Sequence, residues 1–171
     1  FGSSSSIESN PDLLQMTTSH SNLYDEIVSA FAKKFSDYNI IFVSETGSDD
    51  KSDFTDELKK GLSKSSIQYK TVTGSENLLE NINANLRSGR NILVPSSSSE
   101  ATLRKISATV ERLNSSSVSL FGYPEWQAYT QHTEALHKFD SYIYSIFFLD
   151  DQQKEVQDVA EEYKSWYGKN M

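Results

Sequence analysis

Hydroxyl groups gather where an apolar run gives way to a helical pattern: in VPSSSSEATL, Val94 to Leu103, the serines Ser96, Ser97, Ser98 and Ser99 follow a proline. Serine before a helix has a routine task, capping, in which Oγ accepts a hydrogen bond from an unsatisfied amide of the first turn. It has a second capacity, because small residues there leave N–H and Oγ groups open to a carboxylate or another oxygen-rich ligand. Two further stretches carry comparable chemistry. Ser44-Glu45-Thr46-Gly47 follows the run NIIFVS, and Gly122-Tyr123-Pro124-Glu125-Trp126 follows VSLFG. The last of these sets two amphipathic rings and a carboxylate just beyond a strand end, a contact surface suited to a small organic ligand or a sugar ring. Packing into the core is the competing use of the same rings, and of Tyr144 and Phe147, which stand at the end of the next apolar run.

Catalytic constellations are scarce. His20, His132 and His137 lack metal-ligand spacing, cysteine is absent, and no G-x-S-x-G elbow presents a nucleophile. The carboxylates between Asp49 and Glu57 and between Glu155 and Glu162 are spread as on solvated helix faces. Asn114-Ser115-Ser116 matches a glycosylation acceptor, a frequent coincidence. The expectation is a protein that is not an enzyme and that holds no cofactor and no metal.

Charge narrows the partners. With 24 acidic and 16 basic side chains the net charge is -8, so the footprint of a nucleic-acid or anionic-lipid binder is missing. No apolar run approaches the roughly 18 residues of a membrane span, and no signal pattern is present. Because the chain begins at Phe1, it is expected to be a fragment of a longer one, with any targeting signal outside it.

Strands and helices are legible along the chain. Five apolar runs have strand character: Asn39 to Ser44, Ile67 to Val72, Asn91 to Pro95, Val118 to Gly122 and Ser141 to Phe148. Four are nearly continuous, as in strands covered on both faces, whereas Ile67 to Val72 alternates as an edge strand does. Their apolar cores start at steps of 27, 25, 26 and 24 residues, room each time for a crossover helix. Between them lie helical stripes: Phe54, Leu58, Leu62; Leu78, Leu79, Ile82, Leu86; and Leu103, Ile106, Val110, Leu113. A helix with Leu23, Ile27, Ala30, Phe31 and Phe35 precedes the first strand. Another, with Val156, Val159, Ala160, Tyr163 and Trp166, closes the chain, and Gly89 and Gly168 stand at helix stops. Phe1 to Ser9 reads as loop and Leu13 to Met16 as a short extended piece.

The fold class that follows is α/β, a three-layer αβα sandwich around a five-stranded, mainly parallel sheet. Right-handed crossovers make its order 2-1-3-4-5, with a switch point between strands 1 and 3. Ligands of such sheets bind at the carboxyl ends of the strands, which here are Ser44 to Gly47 and Ser96 to Ser99. Response-regulator receivers share the order but need acidic residues where this chain has Ser44-Glu45 and Pro95-Ser96. A flavodoxin-like FMN carrier is the nearer alternative, since Ser44 to Ser48 is similar to its phosphate loop. Against it, Asp49 and Asp50 would repel a flavin phosphate, and a helix precedes the first strand.

Taken together, Asn10 to Met16 (NPDLLQM), NIIFVS, VPSSSSEA, LFGYPEWQAY and the closing EEYKSWYGKNM resemble the second lobe of a type I periplasmic binding protein of the branched-chain amino acid receptor kind. They are similar also to the receptor-like C-terminal half of bacterial envelope proteins carrying LysM peptidoglycan-binding modules. The resemblance implies one lobe of a periplasmic-binding-protein-like I fold, with residues 1–16 as the inter-lobe crossover and 17–171 as the lobe. It implies a non-enzymatic, Rossmann-like solute receptor of the periplasm or cell envelope. Its small ligand, an amino acid, muropeptide or glycan, would be shared with a missing first lobe. The ligand-facing residues would be Ser44, Glu45, Thr46, Ser96, Ser97, Ser98, Ser99, Tyr123, Glu125 and Trp126. The family grips an amino acid's α-groups largely from the other lobe, so that ligand does not carry over, and a scaffold or partner-binding module without a small ligand remains open.

Overall fold

The computed structural model describes residues 20–44, 49–74, 77–113, 117–144 and 154–168. The expected loop and extended piece before residue 17, the Asn114 triplet and Phe147 lie outside them. Five strands, β1 (Asn39–Ser44), β2 (Tyr69–Thr73), β3 (Asn91–Pro95), β4 (Val118–Gly122) and β5 (Tyr142–Ile143), form one sheet in the order β2-β1-β3-β4-β5. Every pairing is parallel, with Ile40 beside Tyr69 and Ile92, Leu93 beside Leu120, and Phe121 beside Tyr142. The fold is a Rossmann-like α/β sandwich in the predicted strand order.

Burial explains which residues became strand. All five positions of β3 and of β4 are buried, and so are the first five of β1, because helices cover both faces and parallel neighbours satisfy both edges. On β2, at the sheet edge, only Val72 is buried. That strand starts two residues later than its apolar pattern does. Ser66 adopts φ +56°, its amide reaches Ser63 O at 3.1 Å, and the Ile67 amide reaches Leu62 O at 2.9 Å. This is a Schellman closure, in which Ile67 caps the preceding helix and does not extend the strand.

The helices are α1 (His20–Lys34), α2 (Ser52–Lys64), α3 (Leu78–Asn85), α4 (Glu100–Leu113), α5 (Thr133–Lys138) and α6 (Lys154–Tyr167). Right-handed crossovers send α2 to one face of the sheet and α3 and α4 to the other. The α1 helix joins α2: Tyr24 meets Phe54 edge-on at 5.2 Å, and Phe31 meets Phe121 at 4.8 Å. Gly61 lets the two helices come close, since a methyl there would collide with Val28. The core runs from Phe31 and Phe35 through Ile40 to Val43, Phe54, Leu58 and Leu62 to Ile92 to Val94, Leu103 and Ile106.

At the amino ends of the strands, buried Asn39 and Asn91 replace apolar packing with a closed set of hydrogen bonds. Asn39 Nδ2 donates to Asn91 Oδ1 and to Asn85 O, each at 2.8 Å. Asn91 Oδ1 also accepts from the Arg87 amide at 2.9 Å, while its Nδ2 donates to Arg87 O and Gly89 O at 3.0 Å. The predicted closing helix exists as α6. None of its described residues joins the core, and Val159, Trp166 and Tyr167 are 55%, 69% and 62% exposed.

Candidate functional site

Since β1 and β3 are neighbours from which the chain winds outward in opposite directions, their carboxyl ends open onto the crevice where sheets of this order take ligands. Three turns meet there. Ser44 ends β1, and its Oγ donates to Asp49 Oδ2 at 3.2 Å. The other oxygen of Asp49 accepts from Ser96 Oγ, while the Ser96 amide donates to Val43 O at 2.9 Å. The Lys51 amide donates in turn to Ser96 O at 2.9 Å, so the segment after β1 is tied to the serine turn after β3 by side chain and backbone together.

Asp50 completes the tie. Ser98 offers it both of its donors, the amide to Oδ1 at 2.9 Å and Oγ to Oδ2 at 2.5 Å. Burial pushes this carboxyl up, but the hydroxyls of Ser98 and Ser97, the Ser98 amide and the Lys51 charge outweigh it and hold Asp50 below the ordinary aspartate range. Ser99 is the cap of α4, its Oγ accepting from the Thr102 amide at 3.2 Å, as the sequence pattern allowed. Ser97, fully buried, accepts from the Ser99 amide at 3.2 Å. The four serines thus divide their work: Ser99 caps, Ser96 and Ser98 bond Asp49 and Asp50, and Ser97 closes the turn while its hydroxyl also favours the Asp50 carboxylate.

The third turn is built inward. Tyr123 and Trp126 were expected to present their rings at a cleft mouth, and the structure buries both, at 0% and 1% exposure. Burial raises the Tyr123 phenol well above its usual range, so it stays protonated and donates to Pro95 O. Trp126 Nε1 donates to Ser98 O at 3.1 Å, and its ring meets Tyr123 edge-on at 6.0 Å. Each indole or phenol needs a partner for its polar atom once buried, and each takes a carbonyl of the β3 turn. What this turn gives the rim is Glu125, whose Oε1 lies 2.5 Å from Lys51 Nζ, itself 5.4 Å above the Tyr123 ring. Tyr144, half-buried, stacks on Phe54 at 5.2 Å and belongs to the same aromatic packing.

Of the predicted ligand-facing residues, Ser44, Ser96 to Ser99, Tyr123, Glu125 and Trp126 therefore come together, while Glu45 and Thr46 lie outside the described residues. Ser96, Ser97 and Ser98 are buried, leaving Ser44, Asp50, Lys51, Ser99 and Glu125 to face solvent wholly or in part. Sequence reasoning missed these roles for Asp49 and Asp50, which were read as part of a solvated helix face, and did not single out Lys51. The signal for them was an acidic pair placed between a strand end and a helix start, opposite a run of hydroxyls. Beyond the rim, Glu100 Oε1 accepts from Gln131 Nε2 at 2.7 Å and lies 3.2 Å from His132 Nε2. Among the described residues no cluster of three or more His, Cys, Asp or Glu side chains is suited to a metal ion, and no helix is long and apolar enough to cross a membrane. The rim offers carboxylates, an ammonium group and hydroxyls. The chain matches no protein-family model, no curated protein and no solved structure.

Proposed function

We propose that this chain is a non-enzymatic ligand-binding lobe of a receptor-like protein of the periplasm or cell envelope, one half of a clamp that closes on a small solute. The observation that carries the reading is the convergence of three strand-end turns on one rim at the switch point, the first two cross-bonded by Asp49 and Asp50 and the third tied in by Tyr123, Trp126 and Glu125. A rim held by its own hydrogen bonds is preorganised, which lowers the ordering cost of closing against a second lobe. An amino acid, muropeptide or glycan supplies hydroxyls, carboxylates or amines that match Glu125, Lys51 and Ser99. Linkage to peptidoglycan through LysM modules belongs to the same proposal and rests on the sequence resemblance.

One observation favours a scaffold in place of a solute receptor. The donors of Ser98 are already engaged by Asp50, so the rim can meet a partner lobe with no small molecule between them. The flavodoxin-like alternative loses ground for the same reason, because the two carboxylates that would repel a phosphate stand against the serine turn. A colourless purified protein would retire it.

Thermal unfolding of the full-length protein with amino acids, muropeptides and short glycans tests the choice. A ligand at 100 times its Kd adds about 2.7 kcal/mol, and for a domain of this size that raises Tm by roughly 5 to 10 °C. The double substitution Lys51→Ala with Glu125→Ala is expected to abolish that rise while moving the ligand-free Tm by only about 2 to 4 °C, since such rim ion pairs contribute ~1 kcal/mol or less. No rise with any of the three ligand classes would leave the scaffold reading standing and the receptor reading refuted.

A further inference from the structure

The α1/α2 layer covers the sheet unevenly. Two helices serve five strands, and the β5 side of that face is left as an apolar groove of about 210 Å³ between α1 and the sheet edge. Ile27, Ala30, Phe31, Phe121 and Tyr142 to Tyr144 line it, with Lys34 as its charged member. The same chain carries an apolar surface that lacks a seat. On α6 the spacing Val159, Tyr163, Trp166, Tyr167 makes one stripe. Trp166 is 69% exposed, and the stripe's two tyrosine rings lie 4.7 Å apart. Hole and knob are complementary in charge as well. Lys33 and Lys34 end α1, while Asp158, Glu161 and Glu162 are exposed on α6.

We propose that two copies of this chain exchange their α6 helices, each Trp166 stripe seating in the other copy's groove beside β5. Within a single chain the two surfaces are open at once, since no described residue of α6 lines the groove. Reciprocal exchange fills both and closes on itself as a two-fold dimer, leaving no knob or hole to recruit a third copy. Nine residues separate Tyr144 from Lys154, a span of up to about 30 Å when extended, enough for a helix to cross to a neighbour. Aromatic anchors contribute about 150 to 250 Å² each, so two symmetric sites reach on the order of 1,200 Å², the lower bound for a specific interface.

Sedimentation of the full chain across a concentration range, together with iodide quenching, tests this. The chain has two tryptophans, and with Trp126 buried, iodide reads Trp166. The expected result is a dimer in which the quenchable fraction falls as the dimer forms. Trp166→Ala and Ala30→Glu, both at exposed positions, should each weaken it at least tenfold, whereas an equimolar mixture of the two variants should regain association, because one intact helix then meets one intact groove. A monomer with Trp166 quenchable at every concentration overturns the proposal. So does a monomer with Trp166 shielded, which would put α6 in its own groove, and so does a dimer insensitive to Ala30→Glu, which would mean helix-to-helix pairing.

Discussion

A single methyl group tests whether Trp126 is structural. Gly122 ends β4 with β3 on one side and β5 on the other, and the indole of Trp126 folds back over it. A Cβ at that position would stand 2.8 Å from Trp126 Cδ2 and closer still to Cε3 and Cζ3. The strand backbone is held in the sheet and cannot retreat, so in Gly122→Ala the ring must move. Pure overpacking costs about 1 to 3 kcal/mol. Expelling the indole forfeits burial that in tryptophan truncations amounts to about 3 to 5 kcal/mol, and it breaks the hydrogen bond to Ser98 O. The expected loss is about 3 to 4 kcal/mol, which for a chain of this length lowers Tm by roughly 6 to 16 °C.

Calorimetry gives the loss, and tryptophan emission in a Trp166→Phe background gives its cause, because a displaced Trp126 shifts to the red. The decisive measurement is the double-mutant cycle. Once Trp126→Ala has removed the ring, Gly122→Ala should add less than about 0.5 kcal/mol, a coupling expected only of groups in contact. A Gly122→Ala protein within about 1 kcal/mol of wild type, or costs that add in the double variant, would refute the seating of the ring and restore Trp126 as a cleft residue.

Two further outcomes follow from polar groups engaged by the fold. Asn91→Leu removes the acceptor of Asn39 and of the Arg87 amide together with the donor to Arg87 O and Gly89 O. The bond to Asn39 is buried and the others are part-buried; a stranded buried group costs about 1 to 3 kcal/mol, so urea unfolding should show a loss of about 2 to 3 kcal/mol, and a loss under about 1 kcal/mol would refute the network. Asp50 sets a pH dependence. Its folded-state pKa is depressed, so its contribution is complete above the ordinary aspartate pKa and disappears as pH falls through the lower, folded value. The Tm gap between wild type and Asp50→Asn should therefore be widest near neutrality and narrow steadily in acid, and a gap independent of pH would mean that Ser98 does not distinguish the carboxylate from its amide.

The strands were legible because burial on both faces writes itself as an unbroken apolar run, and their order because crossover handedness leaves few choices for such units. Ile67 shows where that signal stops: its apolar side chain reads as strand, but the preceding turn takes it to close a helix, and the pattern of types is the same in both cases. The stripe of α6 was equally readable, yet amphipathicity reports only that a face wants cover and is silent on whose surface covers it. At the rim the difficulty is chemical. A serine hydroxyl before a helix has the same composition whether it awaits a ligand or bonds an aspartate of its own chain, and only the fold, by bringing Asp49 and Asp50 within reach of Ser96 and Ser98, decides between them. Gly122 held the missing clue for the aromatic turn: a glycine at the end of a buried strand, four residues before a tryptophan, leaves the space into which that ring can turn back. Ser99 is likewise taken up as the α4 cap, so the charge the rim still presents is the Lys51–Glu125 pair, whose ammonium also lies over the Tyr123 ring.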